Sequence, residues 1–332
     1  MMTLHPAQIL FFFSLTLGTL ITFSSTSWFT AWLGLELNLL SFIPIISSKS
    51  NQYSSEAALK YFLIQALGSA IILASAPSLL IFNEPLALIS MALLLKMGAA
   101  PLHFWFPSVM EGISWPQCMI LMTIQKVGPM LMLSYTFSSL SISIIMLSSI
   151  ISSLVGGLGG LNQTLIRKIM AYSSINHMAW MLAALFMSET MWATYFMTYA
   201  VVSTSIALIM HTHQIFHFSQ LSSFNFKSTS LKLTTFIALL SLGGLPPFLG
   251  FIPKWLVIQE MINSKSFIWL VFLLFSALIT LFYYLRITMT SMTLSSPKVK
   301  TSIKNSSQAL LPSIMFINLF PMLLPLTLTL PL

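Results

Sequence analysis

The stretch Ser241–Glu260 reads SLGGLPPFLGFIPKWLVIQE and decides the fold of this chain. One apolar segment enters it from Leu231, and another leaves it towards Met261. Proline has no N–H donor and clashes with the carbonyl four residues before it, so Pro246, Pro247 and Pro253 predict a broken helix. In lipid, such a break is tolerated only where protein or a watery cavity covers it. Lys254 directly follows the break, and an ammonium at an interrupted membrane helix is typical of ion transport.

The composition predicts a polytopic membrane protein of the all-α class. Hydrophobic residues make up 57% of the 332 residues and charged residues 6%, with a mean hydropathy of +0.91. A soluble fold of this length could not bury so much apolar surface. The formal charge of +8 comes from scattered cations, so no nucleic-acid interface is expected. The single cysteine, Cys118, excludes a disulfide framework, a cysteine zinc site and an iron–sulfur cluster in this chain.

Apolar segments of about 20 residues, the length needed to cross a bilayer, recur along the chain. They predict about eleven transmembrane helices: 4–23, 27–46, 57–81, 86–106, 115–137, 139–159, 168–187, 191–211, 231–262, 267–288 and 309–330.

The basic residues between these helices predict the orientation. The connections after even-numbered helices hold Lys49, Arg167, Lys168, Lys227, Lys232, Arg286, Lys298, Lys300 and Lys304. The connections after odd-numbered helices hold only Lys265. We therefore expect the N terminus on the positive side, the matrix or cytoplasm, and the C terminus on the opposite side.

The chain also shows a weak internal symmetry. Helix 4, with the sequence LLLKMGAAPLHFWFP, and helix 9, with the Gly/Pro break, are each the fourth member of a five-helix run. Because five is odd, the second run would enter the membrane from the opposite side, which gives an inverted repeat with paired broken helices. We expect a single membrane domain with repeats at 1–137 and 138–288, followed by a linker and helix 11 at 289–332.

Four ionisable residues fall well inside the predicted spans: Glu36, Lys96, Lys126 and Lys254. An ionised group at the bilayer centre costs about 3 kcal/mol on insertion scales, so such groups persist where they pair or line water. The three lysines share a local pattern: Lys96 has Gly98 and Pro101 nearby, Lys126 has Gly128 and Pro129, and Lys254 has Gly250 and Pro253. The prolines free nearby carbonyls, such as those of Met97 and Gln125, which together with water can solvate an ammonium.

These groups suggest a lateral proton relay. A buried lysine near a carboxylate can gain and lose a proton near neutral pH. Our hypothesis is that Glu36 pairs with Lys96 and that protons pass by way of Lys126 to Lys254. The alternative is a set of fixed ion pairs that hold the helices together.

Three further residues are candidates for a secondary relay. Lys60 follows Glu56 by four residues, which is also the spacing of an ordinary helix ion pair. His103 follows the kink in helix 4, and His177 lies in helix 7; either could extend a proton path or could simply be hydrogen-bonded.

Two other patterns have structural interpretations. His213 and His217 have the spacing of zinc ligands, but no third ligand is evident, so no metal site is expected. Gly156 and Gly160 lie four apart, which favours close packing between helices.

Six motifs follow one another along the chain: GLELNLLSFIP, SSEAALKYFLIQALGS, LLLKMGAAPLHFWFPSV, TIQKVGPM, GGLNQTLIRKIMAYSSINHMAW and LLSLGGLPPFLGFIPKW. Taken in this order, they resemble the subunit 2 family of mitochondrial NADH:ubiquinone oxidoreductase, respiratory complex I. The similarity covers most of residues 1–290. It implies an antiporter-like fold in the membrane arm, next to other antiporter-like subunits, in the mitochondrial inner membrane with the N terminus in the matrix.

The resemblance also implies a function and assigns its residues. The subunit would help to couple quinone reduction to proton translocation, with NAD, FMN, iron–sulfur clusters and ubiquinone handled by other subunits. The family's key glutamate corresponds to Glu36, its central lysines to Lys96 and Lys126, and its broken-helix residue to Lys254. Membrane lipids, including cardiolipin on the basic matrix face, are expected partners.

Two other functions stay open at this point. The family is similar to free-standing cation/proton antiporters, and the charge pattern fits one equally well. A purely structural membrane subunit would instead tolerate neutral residues in place of its buried lysines.

Overall fold

The structure is a computed structural model that describes residues 6–47, 51–78, 85–223, 229–293 and 310–319. Within these ranges every element of regular secondary structure is a helix, apart from one isolated β-bridge between Leu165 and His217. The predicted all-α class is therefore confirmed.

The described chain divides into two compact units, Met1–Val155 and Gly156–Leu332. The helices that lie within the first unit are α1 (Pro6–Ser24), α2 (Trp28–Ser47), α3 (Gln52–Ser78), α4 (Pro85–Met97), α5 (Trp105–Gly112), α6 (Trp115–Met122) and α7 (Ile124–Ser134). Helix α8 (Ser139–Gly160) begins in the first unit and ends in the second. The second unit also holds α9 (Ile166–Met187), α10 (Glu189–His213), α11 (Phe218–Ser223), α12 (Thr229–Gly243), α13 (Phe251–Asn263), α14 (Phe267–Thr293) and α15 (Leu310–Leu319).

Seven of the described helices are long and apolar enough to cross a membrane: α1, α2, α3, α8, α9, α10 and α14. The predicted spans 86–106, 115–137 and 231–262 are instead interrupted by the non-helical residues 98–104, Thr123 and 244–250, so that two shorter helices replace each continuous one. The number of eleven spans stays a prediction, because most of 309–330 lies outside the described residues.

In the first unit, small residues allow α1 and α2 to pack closely. A Cβ placed on Gly34 would lie 2.8 Å from the carbonyl oxygen of Gly18, which is too close for any larger residue. Helix α3 packs against α2, α4 and α5. The Tyr61 ring of α3 meets the Phe42 ring of α2 edge-on, with centroids 5.2 Å apart. This packing positions the charged residues of α2 and α4 around α3.

In the second unit, α9 is the most deeply buried of the long helices. It contacts α10, α13 and α14, and α12 contacts α10, α14 and α15. A Cβ on Gly156 would lie 2.6 Å from the backbone nitrogen of Asn176, which confirms that this glycine serves close packing. The break between α12 and α13 therefore lies beside the best-buried helix of this unit.

Several residues of the orientation argument lie outside the described ranges: Lys49, Lys227, Lys298, Lys300 and Lys304. The predicted orientation of the termini and the inverted repeats consequently stay predictions.

Candidate functional site

The break between α12 and α13 contains two glycines that no larger residue could replace without movement. Gly244 has a φ of +77°, a left-handed conformation that residues with a Cβ rarely adopt. A Cβ on Gly250 would collide with the carbonyl oxygen of Ser241. The chain therefore turns sharply after Gly243 and resumes as a helix at Phe251.

Lys254, in the first turn of α13, is only 5% exposed and reaches back across this break. Its Nζ donates a 2.9 Å hydrogen bond to the carbonyl oxygen of Gly243, the last residue of α12. The last carbonyls of a helix have no partner within the helix and carry its negative dipole end. The interruption therefore supplies the buried ammonium with an acceptor, as an uninterrupted helix would not.

At the break 98–104, the carbonyls at the end of α4 accept hydrogen bonds from residues other than the lysine. The Trp105 indole Nε1 donates to the carbonyl oxygen of Leu95 at 3.0 Å, and Gln65 Nε2 donates to that of Lys96 at 2.9 Å. Side chains from α5 and α3 thus satisfy two carbonyls at the end of α4. Polar side chains of neighbouring helices, rather than the lysine itself, cap this half-helix.

Lys96 is 5% exposed and packs against a glycine of α3. A Cβ on Gly68 would lie 3.0 Å from its Cγ, so the missing side chain makes room for the lysine. Glu36 is half-buried and close enough to Lys96 to interact with it electrostatically. The expected direct ion pair between Glu36 and Lys96, both within the described residues, is not among the salt bridges of the structure.

One carboxylate oxygen of Glu36, Oε2, is buried without a hydrogen-bond partner in the described part of the chain. Glu36 also interacts electrostatically with Tyr61. The Tyr61 hydroxyl donates to Gln125 Oε1 at 3.2 Å, and Gln125 Nε2 donates to the carbonyl oxygen of Asn38 at 3.4 Å. These bonds link α2, α3 and α7 next to Lys126.

Lys126 is 2% exposed, and its Nζ lies 5.0 Å from the centroid of the Phe106 ring. An ammonium at this distance from a ring face is stabilised by the electron-rich face. Three residues earlier, Thr123 interrupts the helix with φ −115° and ψ −83°. The sequence analysis predicts no interruption there, since neither glycine nor proline marks it.

Two of the secondary candidates make local contacts. Lys60 forms a 2.6 Å ion pair with Glu56, and about half of each side chain is exposed. His103 Nδ1 lies 3.2 Å from the carbonyl oxygen of Pro101, within the same break. These contacts match the ordinary structural interpretation of both residues, and their part in a relay stays a prediction.

His177 is buried in the second unit, at 6% exposure. Its Nδ1 lies 2.9 Å from the hydroxyl of Tyr195 on α10, and the Tyr199 ring centroid lies 5.1 Å from its own. The histidine, both tyrosines and Pro253 of α13 line a cavity of about 10 Å³, roughly the volume that one water needs. His177 therefore lies near the broken helix that carries Lys254.

Glu36, Lys96 and Lys126 thus lie in the first unit, and His177 and Lys254 lie in the second. The passage of protons from one group to the other stays a prediction. No cluster of three histidine, cysteine, aspartate or glutamate side chains suited to a metal occurs among the residues that the structure describes.

Comparison with known proteins decides the family. The family model described as "NADH:quinone oxidoreductase/Mrp antiporter, TM" matches residues 25–86 and 78–280. NADH-ubiquinone oxidoreductase chain 2 of Anopheles gambiae is 46% identical over 318 residues, which cover 93% of this chain and 92% of the relative. Chain 2 of Locusta migratoria is 41% identical, covering 86% and 85%.

The chain belongs to the NADH-ubiquinone oxidoreductase chain 2 family. Its fold is similar to a chain of respiratory complex I from Thermus thermophilus, with a TM-score of 0.85 and 25% identity over 97% of this chain and 79% of that one. It is also similar to a chain of the Mrp complex from a Dietzia species, with a TM-score of 0.78 and 17% identity over 87% of this chain and 61% of that one, a likeness of fold alone.

This member of the chain 2 family has one site residue that the sequence analysis missed. Asn318 of α15 is fully buried, and its Oδ1 accepts a 2.8 Å hydrogen bond from Ser241 Oγ of α12. Asn318 Nδ2 donates to Ser205 Oγ of α10 at 3.3 Å. The backbone carbonyl oxygen of Asn318 accepts a hydrogen bond from the backbone nitrogen of Leu249, within the break. Through Asn318, the described part of predicted helix 11 therefore contacts both α12 and the break.

Proposed function

We propose that the chain is a proton-translocating subunit of the membrane arm of NADH:ubiquinone oxidoreductase, coupling electron transfer to proton movement. Family membership supports the assembly, since the relatives carry that name over nearly their whole length. The observation that carries the proton-translocating role is the bond from Lys254 to Gly243 across a broken helix. Burying an ammonium inside an apolar membrane protein costs free energy, and residues buried in this way usually have a function.

The geometry suggests how Lys254 works. Protonated, it donates to the carbonyl of Gly243, which fixes the side chain across the break. Without its proton, the amine loses the charge that strengthens this bond, since hydrogen bonds from charged donors are about twice as strong as neutral ones. The side chain is then free to turn away. The Lys254 side chain therefore moves between two positions as it gains and loses its proton.

In the first unit, Lys96 and Lys126 carry the relay from Glu36. The carboxylate has an unused buried oxygen, and the two lysines are almost completely excluded from solvent. A change in charge on one of them alters the field at the others, because interactions in a low-dielectric interior are weakly screened. His177 and His103 extend the path on their own units, and Lys60 connects it to the surface.

The finer parts of the proposal follow from the family. The chain has no redox centre, and NADH, FMN, iron–sulfur clusters and ubiquinone are bound by other subunits. It spans the mitochondrial inner membrane several times, with its N terminus in the matrix and its C terminus in the intermembrane space. Its partners are neighbouring antiporter-like subunits, and cardiolipin on the basic matrix face.

A free-standing cation/proton antiporter is the main alternative, because the matching family model also covers Mrp antiporters. A purely structural subunit is the second. The names of the most similar relatives favour the oxidoreductase over both.

Isolation from native membranes tests the proposal. We expect the chain to co-migrate with NADH:ubiquinone oxidoreductase activity on a native gel, and vesicles lacking the chain to lose NADH-driven proton uptake. If the chain instead migrates alone and exchanges sodium for protons in liposomes, it is an antiporter and the proposal is wrong.

A further inference from the structure

Next to the broken helix lies a cavity of about 350 Å³, and Lys254 is one of its lining residues. Its walls come from α9, the end of α12, α13 and α14, all within the second unit. Sites for small organic molecules usually measure about 300–1,000 Å³, so this cavity is large enough for a ligand.

The outer wall of the cavity is apolar and exposed. Leu274 and Leu278 of α14 line it and are 38% and 67% exposed. Helix α14 is the most hydrophobic of the seven long apolar helices. A hydrocarbon chain in the bilayer can therefore approach the cavity between these leucines without crossing a polar layer.

The inner wall of the cavity is formed in part by Trp180 and Lys254. The Trp180 side chain is fully buried, and its indole Nε1 has no partner among the described residues. Lys254 lines the same cavity, and its Nζ lies 5.9 Å from the centroid of the Trp180 ring. An ammonium has three donors, and among the described residues this one makes a single hydrogen bond, to Gly243. The apolar cavity thus ends at one buried cation.

We propose that this cavity binds a long-chain carboxylic acid from the membrane. The carboxylate lies against the Lys254 ammonium, and the hydrocarbon chain leaves past Leu278 into the lipid. A carboxylate is a charged acceptor for the remaining donors of this ammonium, and an acyl chain is the apolar body that the outer wall fits. A neutral lipid of the same length would leave the ammonium with the Gly243 carbonyl and no opposite charge.

Occupation of the cavity would hold the ammonium at Lys254 and so slow its proton exchange. This consequence rests on the proposed function, whereas binding itself does not. The test therefore measures binding in the absence of NADH, so that a failure of binding and a failure of proton pumping are seen separately.

The experiment photolabels membranes containing the natural assembly with palmitic acid that carries a mid-chain diazirine. Peptide mass spectrometry then locates the label. We expect labelling of α14 around Ala277 and Leu278, and competition by unlabelled palmitic acid. The corresponding diazirine alcohol should label at least about tenfold less, the size expected for the loss of a hydrogen bond to a charged group.

Two pairs of variants complete the test. Leu278→Trp fills the outer wall and should reduce labelling, whereas Val271→Trp, on an exposed part of the same helix outside the cavity, should not. Lys254→Met should abolish the preference for acid over alcohol, whereas Lys265→Met, at an exposed turn, should keep it. Equal labelling by acid and alcohol in the unchanged protein, or undiminished labelling of Leu278→Trp, would overturn the proposal.

Discussion

The ammonium of Lys254 donates a 2.9 Å hydrogen bond to the carbonyl oxygen of Gly243. The bond joins the first turn of α13, after the break, to the last residue of α12, before it. Eleven positions separate the two residues, and the non-helical segment between them begins with a left-handed residue, Gly244. The break therefore both creates the acceptor and presents it to the lysine. This arrangement makes the position of Lys254 sensitive to the backbone around it.

Gly244→Ala should lower the number of protons pumped per NADH. A Cβ at this position would lie 3.0 Å from both Cδ and Nζ of Lys254 and would require a positive φ, which costs about 1–3 kcal/mol. Proton uptake in vesicles, measured together with NADH oxidation, gives the ratio. Gly243→Ala is the matched control, because its Cβ would meet nothing closer than 3.7 Å. Equal ratios in the two variants would contradict the account of the break.

Asn318→Leu should loosen the broken helix with little change in side-chain volume. It removes the acceptor of Ser241 Oγ and leaves a buried hydroxyl with fewer partners, at a cost of about 1–3 kcal/mol. We expect faster hydrogen exchange of the backbone at 244–250 and a lower melting temperature. Phe316→Leu, at an exposed site on the same helix, is the control. Unchanged exchange in Asn318→Leu would mean that α15 does not support the break.

Gly68→Ala should displace Lys96 while leaving its charge in place. The added Cβ would lie 3.0 Å from Cγ and 3.4 Å from Cε of the lysine. We expect reduced proton translocation with normal assembly, because only the position of the ammonium changes. Gly157→Ala serves as the comparison, since its Cβ would make ordinary contacts at 3.5 Å. Pumping at the normal ratio in Gly68→Ala would show that the position of Lys96 is not critical.

Lys126→Met should reduce the protons pumped per NADH without preventing assembly. Methionine keeps most of the apolar volume beside Phe106 but carries no proton. The measurement is NADH-driven proton uptake in vesicles, with the amount of assembled complex determined on native gels. An unchanged ratio would make Lys126 a structural cation and would weaken the case for the central relay.

The sequence predicts the interruption after Gly243 because proline and glycine act locally, on the backbone of their own helix. The buried lysines are predictable for a similar reason, since a charge inside an apolar run is costly wherever the helix lies. These arguments need no knowledge of neighbouring helices.

The contacts between helices are not predictable in this way. Asn318 lies in a leucine-rich tail far from the break in sequence, and nothing in its local pattern distinguishes it from a surface asparagine. The same limit applies to Gln65 and Trp105, whose side chains take the carbonyls at the end of α4. The geometry of Glu36 and Lys96 likewise depends on packing around α3, so their spacing along the chain does not fix a direct pair.

The most direct test of the account is the number of protons pumped per NADH by Lys254→Met, compared with Lys265→Met. The account predicts a clear fall in this ratio for Lys254→Met, with the complex assembled, and an unchanged ratio for the exposed Lys265→Met. An unchanged ratio for Lys254→Met would contradict the central claim that the lysine at the broken helix carries protons.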